Sequence, residues 1–183
     1  VVDTPIFITG FMGVGKSRIG RLLAERLRWS FVDTDQLIQE QAGLSISDIF
    51  ARQGEDAFRD LEHNCIQAVA SRSCVVVSLG GGAIVPERNR QRIRAAGLLV
   101  CITADVDTIL RRVGRREDRP LLAGLNAVGR RQRVEQLLAE RQPFYAQADI
   151  TIESCDDRAP DETARALLRA IEQWYADHPT ESC

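Results

Sequence analysis

Five short apolar runs punctuate the chain: PIFIT from Pro5, SFVD from Ser30, CVVVSLG from Cys74, LLVCIT from Leu98 and ADITIE from Ala148. Between them lie longer stretches whose apolar residues recur three and four positions apart. Short buried runs alternating with amphipathic stretches predict an α/β domain with a mainly parallel sheet. After the first run, Ile19, Leu22, Leu23 and Leu27 share one helical face, while Arg18, Arg21, Glu25 and Arg28 take the others. TDQLIQEQAG predicts a helix stopped by Gly43, and Ser45, with Asp48 three positions on, caps the next. Gly54 punctuates the pattern before Phe58, Leu61, Cys65, Ile66 and Val69 mark a further face. Gly80 to Gly82 follow the third run directly, and Pro86 suits the first turn of another helix. GRREDRPLLAGLNAVG, from Gly114, is charged and glycine-bounded, with little period before a helix near Asn126. It predicts a mobile loop over about 114–124. The polar tail beyond Trp174 and Tyr175 predicts fraying.

With 183 residues, one domain spanning 1–183 is expected, large enough to bury a sizeable core. An apolar content of 44% and a charged content of 27% fit a soluble globular protein. The 24 basic and 26 acidic residues give a net charge of −2, which argues against a general nucleic-acid binder while leaving room for a local basic pocket. None of the five cysteines forms a Cys-x-x-Cys pair, so buried thiols in a reducing cytoplasm are expected. No apolar run is long enough to span a membrane, and no secretory segment opens the chain; a soluble cytoplasmic protein is the expectation.

GFMGVGKS, from Gly10 to Ser17, matches G-x-x-x-x-G-K-[ST] in full, between a predicted strand and a predicted helix. Its glycines permit a tight backbone that turns amide hydrogens inward. Lys16 can reach the β- and γ-phosphates of a nucleotide, and the Ser17 hydroxyl can ligate Mg²⁺. A GTPase would need Asp-x-x-Gly and Asn-Lys-x-Asp elements, and neither is present. A remodelling ATPase would need more chain. A small hydroxylated molecule is the simplest phosphate acceptor.

FVDTD ends the second run with Asp33 and Asp35 two residues apart. If strand geometry persisted, both acids would share a face at the carboxyl end of the sheet, where ligands sit. One can help hold Mg²⁺ while the other accepts hydrogen bonds from substrate hydroxyls; two solvated acids before a helix are the plainer alternative. Arg59 lies beside core-facing Phe58, and Arg141 falls in LLAERQPFY before Pro143, which should end its helix. Each alone reads as a surface charge, but a converging pair would bind a carboxylate bidentately. The triple glycine allows close backbone approach, or is only a tight turn.

In this order and spacing, GFMGVGKS, FVDTD, DIFARQGEDAFRDLE, SLGGGAI, RPLL and LLAERQPFY resemble the shikimate kinase family, from Pro5 to about Trp174. The resemblance implies a three-layer fold of the nucleoside-monophosphate-kinase kind, with a five-stranded parallel sheet, helices on both faces, an acceptor-binding helical region at about 34–61 and a mobile lid at about 114–124. It implies transfer of the γ-phosphoryl of ATP to the 3-hydroxyl of shikimate, with Mg²⁺, on the route to chorismate and the aromatic amino acids. By the same resemblance, Asp35 grips the hydroxyls of shikimate, Arg59 and Arg141 its carboxylate, and Gly81 and Gly82 present backbone to it. Asp33 lies near the reacting hydroxyl and, with Ser17, in the magnesium shell. Lys16 and Arg119, the latter from the lid, face the transferring phosphate. Gly13, Val14, Gly15, Lys16, Ser17 and Arg18 belong to the nucleotide site, with Arg112 flanking adenine and Arg158, near Pro160, closing the other side. Arg18 departs from the family, where a small hydroxylated residue often stands.

Two other readings stay open at this point. A gluconate or nucleoside kinase shares the phosphate loop, although GGG and RPLL together favour shikimate. A nucleotide-responsive interaction protein without transfer activity would be favoured by loss of an acceptor-binding residue, and none is lost. A monomer acting on ATP and shikimate, with neither nucleic acid nor membrane as partner, is expected.

Overall fold

The computed structural model describes residues 3–113, 122 and 124–179. All five apolar runs are strands of one parallel sheet: β1 Ile6–Thr9, β2 Ser30–Asp33, β3 Val75–Ser78, β4 Leu98–Thr103 and β5 Ile150–Glu153, in the order β2-β3-β1-β4-β5. The burial of each strand follows its place. The interior strands β1 and β3 are buried throughout and β4 almost so, whereas the edges β2 and β5 are half open. Helices on both faces cover the interior strands, which is why their sequences are continuous apolar runs instead of alternating ones. The covering helices are α1 Lys16–Leu27, α2 Thr34–Ala42, α3 Ile46–Val69, α4 Glu87–Ala96, α5 Val106–Val113, α6 Ala127–Tyr145 and α7 Pro160–Asp177.

Helix ends carry the expected signals with some shifts. Gly43 closes α2 at φ 64°, and the Ser45 hydroxyl caps α3. Gly54, at φ 84° and ψ 175°, breaks α3 locally but does not end it. Pro86 sits one residue before α4, and α7 runs to Asp177, past the point where fraying was expected. Pro143 does not stop α6 either, which continues to Tyr145. A proline this close to a carboxyl end deletes one N–H from the ladder and leaves little helix beyond it to disturb.

The main core lies between sheet and helices. A second, smaller cluster, Ile38, Ile49, Phe58 and Cys65, joins α2 to α3 and makes the predicted acceptor region a packed unit at the sheet's edge. The expectation of buried thiols holds for Cys65 and Cys101, which burial pushes up to about 11, but Cys74 and Cys155 are only half-buried. Among the described residues no helix is long and apolar enough to cross a membrane. Most of the segment expected to form the lid, including Arg119, lies outside the described residues; Leu122 within it is buried in the main core.

Candidate active site

The strand order reverses at β1, so a crevice opens at its carboxyl end, and GFMGVGKS is the turn that leaves β1 there. Gly10 stands at φ 136°, and a methyl group on it would lie 2.1 Å from the Ile102 carbonyl oxygen, so the loop can pass β4 only without a side chain. Gly15, at φ 99°, precedes α1, whose first residue is Lys16. The open amides of that helix start face the crevice, an arrangement that favours phosphate. The Lys16 Nζ arches back over the loop, donating to Gly10 O at 2.9 Å and Phe11 O at 3.0 Å.

A cleft of about 480 Å³ runs from this loop. Gly13, Gly15, Lys16, Ser17, Arg18, Asp33, Asp35, Gly81, Arg112 and Arg158 all line it. The Val14 side chain does not; it is turned into the core, leaving its backbone for any ligand contact. The Ser17 hydroxyl donates to Asp33 Oδ2 at 2.6 Å, so the two hard oxygens that a Mg²⁺ ion would use already converge. No group of three His, Cys, Asp or Glu forms a metal cage among the described residues. An oxygen pair with remaining positions left to phosphate and water suits Mg²⁺, and the site therefore fits the ion.

Asp33 and Asp35 reach the cleft by a different route from the one the strand pattern predicts. The strand ends at Asp33, whose Oδ1 accepts from the Asp35 amide at 3.1 Å and caps α2. Asp35 is therefore in the first turn of a helix, and the helical turn, not strand alternation, directs both acids to the crevice. Thr34 between them is buried; it donates to Ser78 O at 3.2 Å and accepts from the Gly80 amide at 3.1 Å, which fixes the triple glycine against β3.

At the far side of this glycine turn, α3 and α6 bring two arginines together. A methyl group on Gly82 would lie 3.1 Å from Arg59 Nη2 and 3.6 Å from Arg141 Nη2, and one on Gly81 would lie 3.3 Å from Arg141 Nη1. Two guanidinium groups thus converge on glycine backbone. Glu62, which the sequence reading passed over, holds Arg59 in place: Arg59 Nη1 donates to its Oε2 at 2.8 Å, and the carboxylate is 1% exposed. Burial pushes the Glu62 carboxyl above its ordinary range, opposed by the charge and hydrogen bond of Arg59, while Asp35 pushes in the same direction as burial and Arg141 against it. The overlooked signal was an acid at position 62 on a helical face set by Phe58, Cys65 and Val69. At the opposite end of the cleft, Arg112 spans the wall. Its Nη1 donates to Ser154 Oγ at 3.0 Å and more weakly to the Gly13 and Val14 carbonyls, and its Nε and Nη2 donate to Asp156. Hydrogen bonds from Arg111 first and then Arg112 hold the Asp156 carboxyl below its usual range.

The shikimate kinase family model matches residues 12–172. The chain belongs to the shikimate kinase family. A shikimate kinase from Chlorobium chlorochromatii is 43% identical over 174 residues, covering 92% of this chain and 91% of its own. A solved shikimate kinase from Acinetobacter baumannii, in complex with shikimate, superposes with a TM-score of 0.88 at 34% identity over 93% of both chains. A gluconokinase from Sinorhizobium meliloti, with a TM-score of 0.59 at 18% identity over 96% of this chain and 98% of that one, shares the fold alone. As a shikimate kinase, the chain is a P-loop small-metabolite kinase that carries out the ATP-dependent phosphorylation of shikimate to shikimate 3-phosphate, in aromatic amino acid biosynthesis.

Proposed function

We propose that the two ends of the cleft divide this reaction between them. ATP lies with its phosphates over Gly13 to Ser17 and its base between Arg112 and the Arg158–Pro160 stretch. Shikimate lies beyond, with its carboxylate on Arg59 and Arg141, its hydroxyls on Asp35 and its ring against Gly81 and Gly82. The observation that carries this reading is the convergence of Arg59 and Arg141 on Gly81–Gly82, beside a cleft whose other end is the phosphate loop. A pair of guanidinium forks suits a carboxylate.

In the reaction, the 3-hydroxyl oxygen of shikimate forms a bond to the γ-phosphorus as the bond from that phosphorus to the β–γ bridging oxygen breaks. ADP leaves with the bond's electrons. Asp33 orients the hydroxyl and stands ready to take its proton. Lys16 neutralises charge on the transferring oxygens, as does Arg119, which lies outside the described residues and whose role rests on the family resemblance. Ser17 and Asp33 would hold Mg²⁺, which when bound would supply positive charge to offset that of the phosphates. Arg18 adds a cation at the nucleotide end. Positioning supplies much of the remaining rate.

In the same proposal the protein is a cytoplasmic monomer, with one domain over 1–183 and a lid at about 114–124. The test is ADP release in a coupled assay with shikimate, quinate, gluconate or no acceptor. Shikimate-dependent release is the expected result. Faster release with gluconate would overturn the substrate, and release that no acceptor stimulates would favour a nucleotide-responsive protein without transfer activity.

A further inference from the structure

The Tyr145 hydroxyl donates to Gly81 O at 2.6 Å, from a side chain that is 4% exposed. The Gly81–Gly82 peptide is trans, so its carbonyl and its N–H point in opposite directions, and a bond that fixes one fixes the other. Neither the Gly81 nor the Gly82 amide donates to another described residue, although Gly82 is buried. A buried amide without a partner among the described residues calls for an outside acceptor. The two guanidinium groups that lie against Gly82 are positioned to deliver an anionic one.

Tyr145 also bears on one of those groups. It stands one helical turn after Arg141 on α6, where side chains four apart are neighbours. Burial pushes the phenol up to about 12, against the charge and hydrogen bonding of Arg141, so the hydroxyl keeps its proton and remains a donor at neutral pH. One buried hydroxyl therefore binds the glycine backbone and stands one helical turn from the arginine.

We propose that Tyr145 is a positioning residue for the acceptor: its hydroxyl locks the Gly81–Gly82 peptide so that the Gly82 N–H is presented, beside Arg59 and Arg141, to an oxygen of the bound carboxylate. This rests on the reading of that end as the carboxylate site. Phenylalanine would keep the ring and its packing while releasing the peptide plane.

The test compares Tyr145→Phe with Arg141→Met in steady-state kinetics, together with the amide resonance of Gly82 in the wild-type protein. Tyr145→Phe is expected to raise KM for shikimate about tenfold, the effect of one lost hydrogen bond and a loosened second. Its KM for ATP and its kcat should stay within about twofold, a split that general loosening of the fold would not produce. The Gly82 amide should shift downfield when shikimate alone is added, and this readout decides the matter if the Phe variant does not fold. An unchanged KM for shikimate, an equal rise in both KM values, or a Gly82 amide indifferent to shikimate overturns the proposal. If Arg141→Met raises KM for shikimate while Tyr145→Phe does not, only the role of Tyr145 falls; if neither raises it, the carboxylate site falls too.

Discussion

The two ends of the cleft are built on opposite plans. The phosphate end is a single stretch, Gly10 to Ser17, whose working groups are main-chain amides and one lysine bonded to its own loop. The proposed acceptor end has Asp35 of α2 and Gly81 in the cleft wall, with Arg59 of α3 and Arg141 of α6 packed beside it against the glycine turn, and a buried carboxylate keeps Arg59 in place. A backbone cradle recognises polyphosphate in general and changes little with sequence outside its glycines. A side-chain cage recognises one small molecule and fails piece by piece.

The largest effect should follow from breaking the generic end. Lys16→Met is expected to lower kcat by on the order of 10³-fold or more with unchanged circular dichroism, since it removes the charge proposed to neutralise the transferring oxygens. A loss under about tenfold would show that the loop binds nucleotide without taking part in transfer. Next comes the specific end, where Arg141→Met should cut kcat/KM for shikimate by about 10²-fold and leave KM for ATP alone, as expected for loss of a bidentate carboxylate contact. Equal losses toward both substrates would erase the proposed division of the cleft.

Glu62 sharpens the comparison with a pH signature. Its carboxyl, surrounded by Arg59, Asp35 and Arg141, titrates above its ordinary value of 4.5 because of burial. A raised folded-state value means that the native protein binds this proton more tightly than the unfolded chain. The group's stabilising contribution is thus present at acid pH and is lost as pH rises through the raised value. Binding runs the other way: protonation releases Arg59, so KM for shikimate should climb as pH falls through the raised value. Glu62→Gln is expected to raise KM for shikimate about tenfold at neutral pH and to abolish that climb; a climb that persists would assign it to another group. The smallest effect belongs to Arg18, which is exposed at the rim. Arg18→Thr should change KM for ATP by no more than about threefold, and less at high salt.

The contrast between the ends also explains what could be read from the sequence. Strands buried on both faces announce themselves as apolar runs, and the phosphate loop is legible because its chemistry is local. The turn from β2 into α2 was harder, because Asp33 has two tasks: it ends the strand by capping the helix while its other oxygen meets Ser17. Alternation therefore fails one residue before Asp35, though both acids still reach the cleft. Pro143 looked like a terminus, yet α6 needs only two more residues to place Tyr145 under Gly81. Glu62 was overlooked because an acid on a helix ordinarily faces water; only the approach of Arg59 makes its burial tolerable. That Arg59 and Arg141 meet at all is a property of the folded sheet, and no local pattern around either residue encodes it.

The central claim is that a carboxylate seats between Arg59 and Arg141 at the glycine turn. A crystal structure with shikimate and ADP tests it most directly. The shikimate carboxylate should lie within hydrogen-bonding distance of both guanidinium groups, with the 3-hydroxyl turned toward Asp33 and the phosphate loop. A carboxylate seated on Lys16, or both arginines turned away from the bound acceptor, would contradict it.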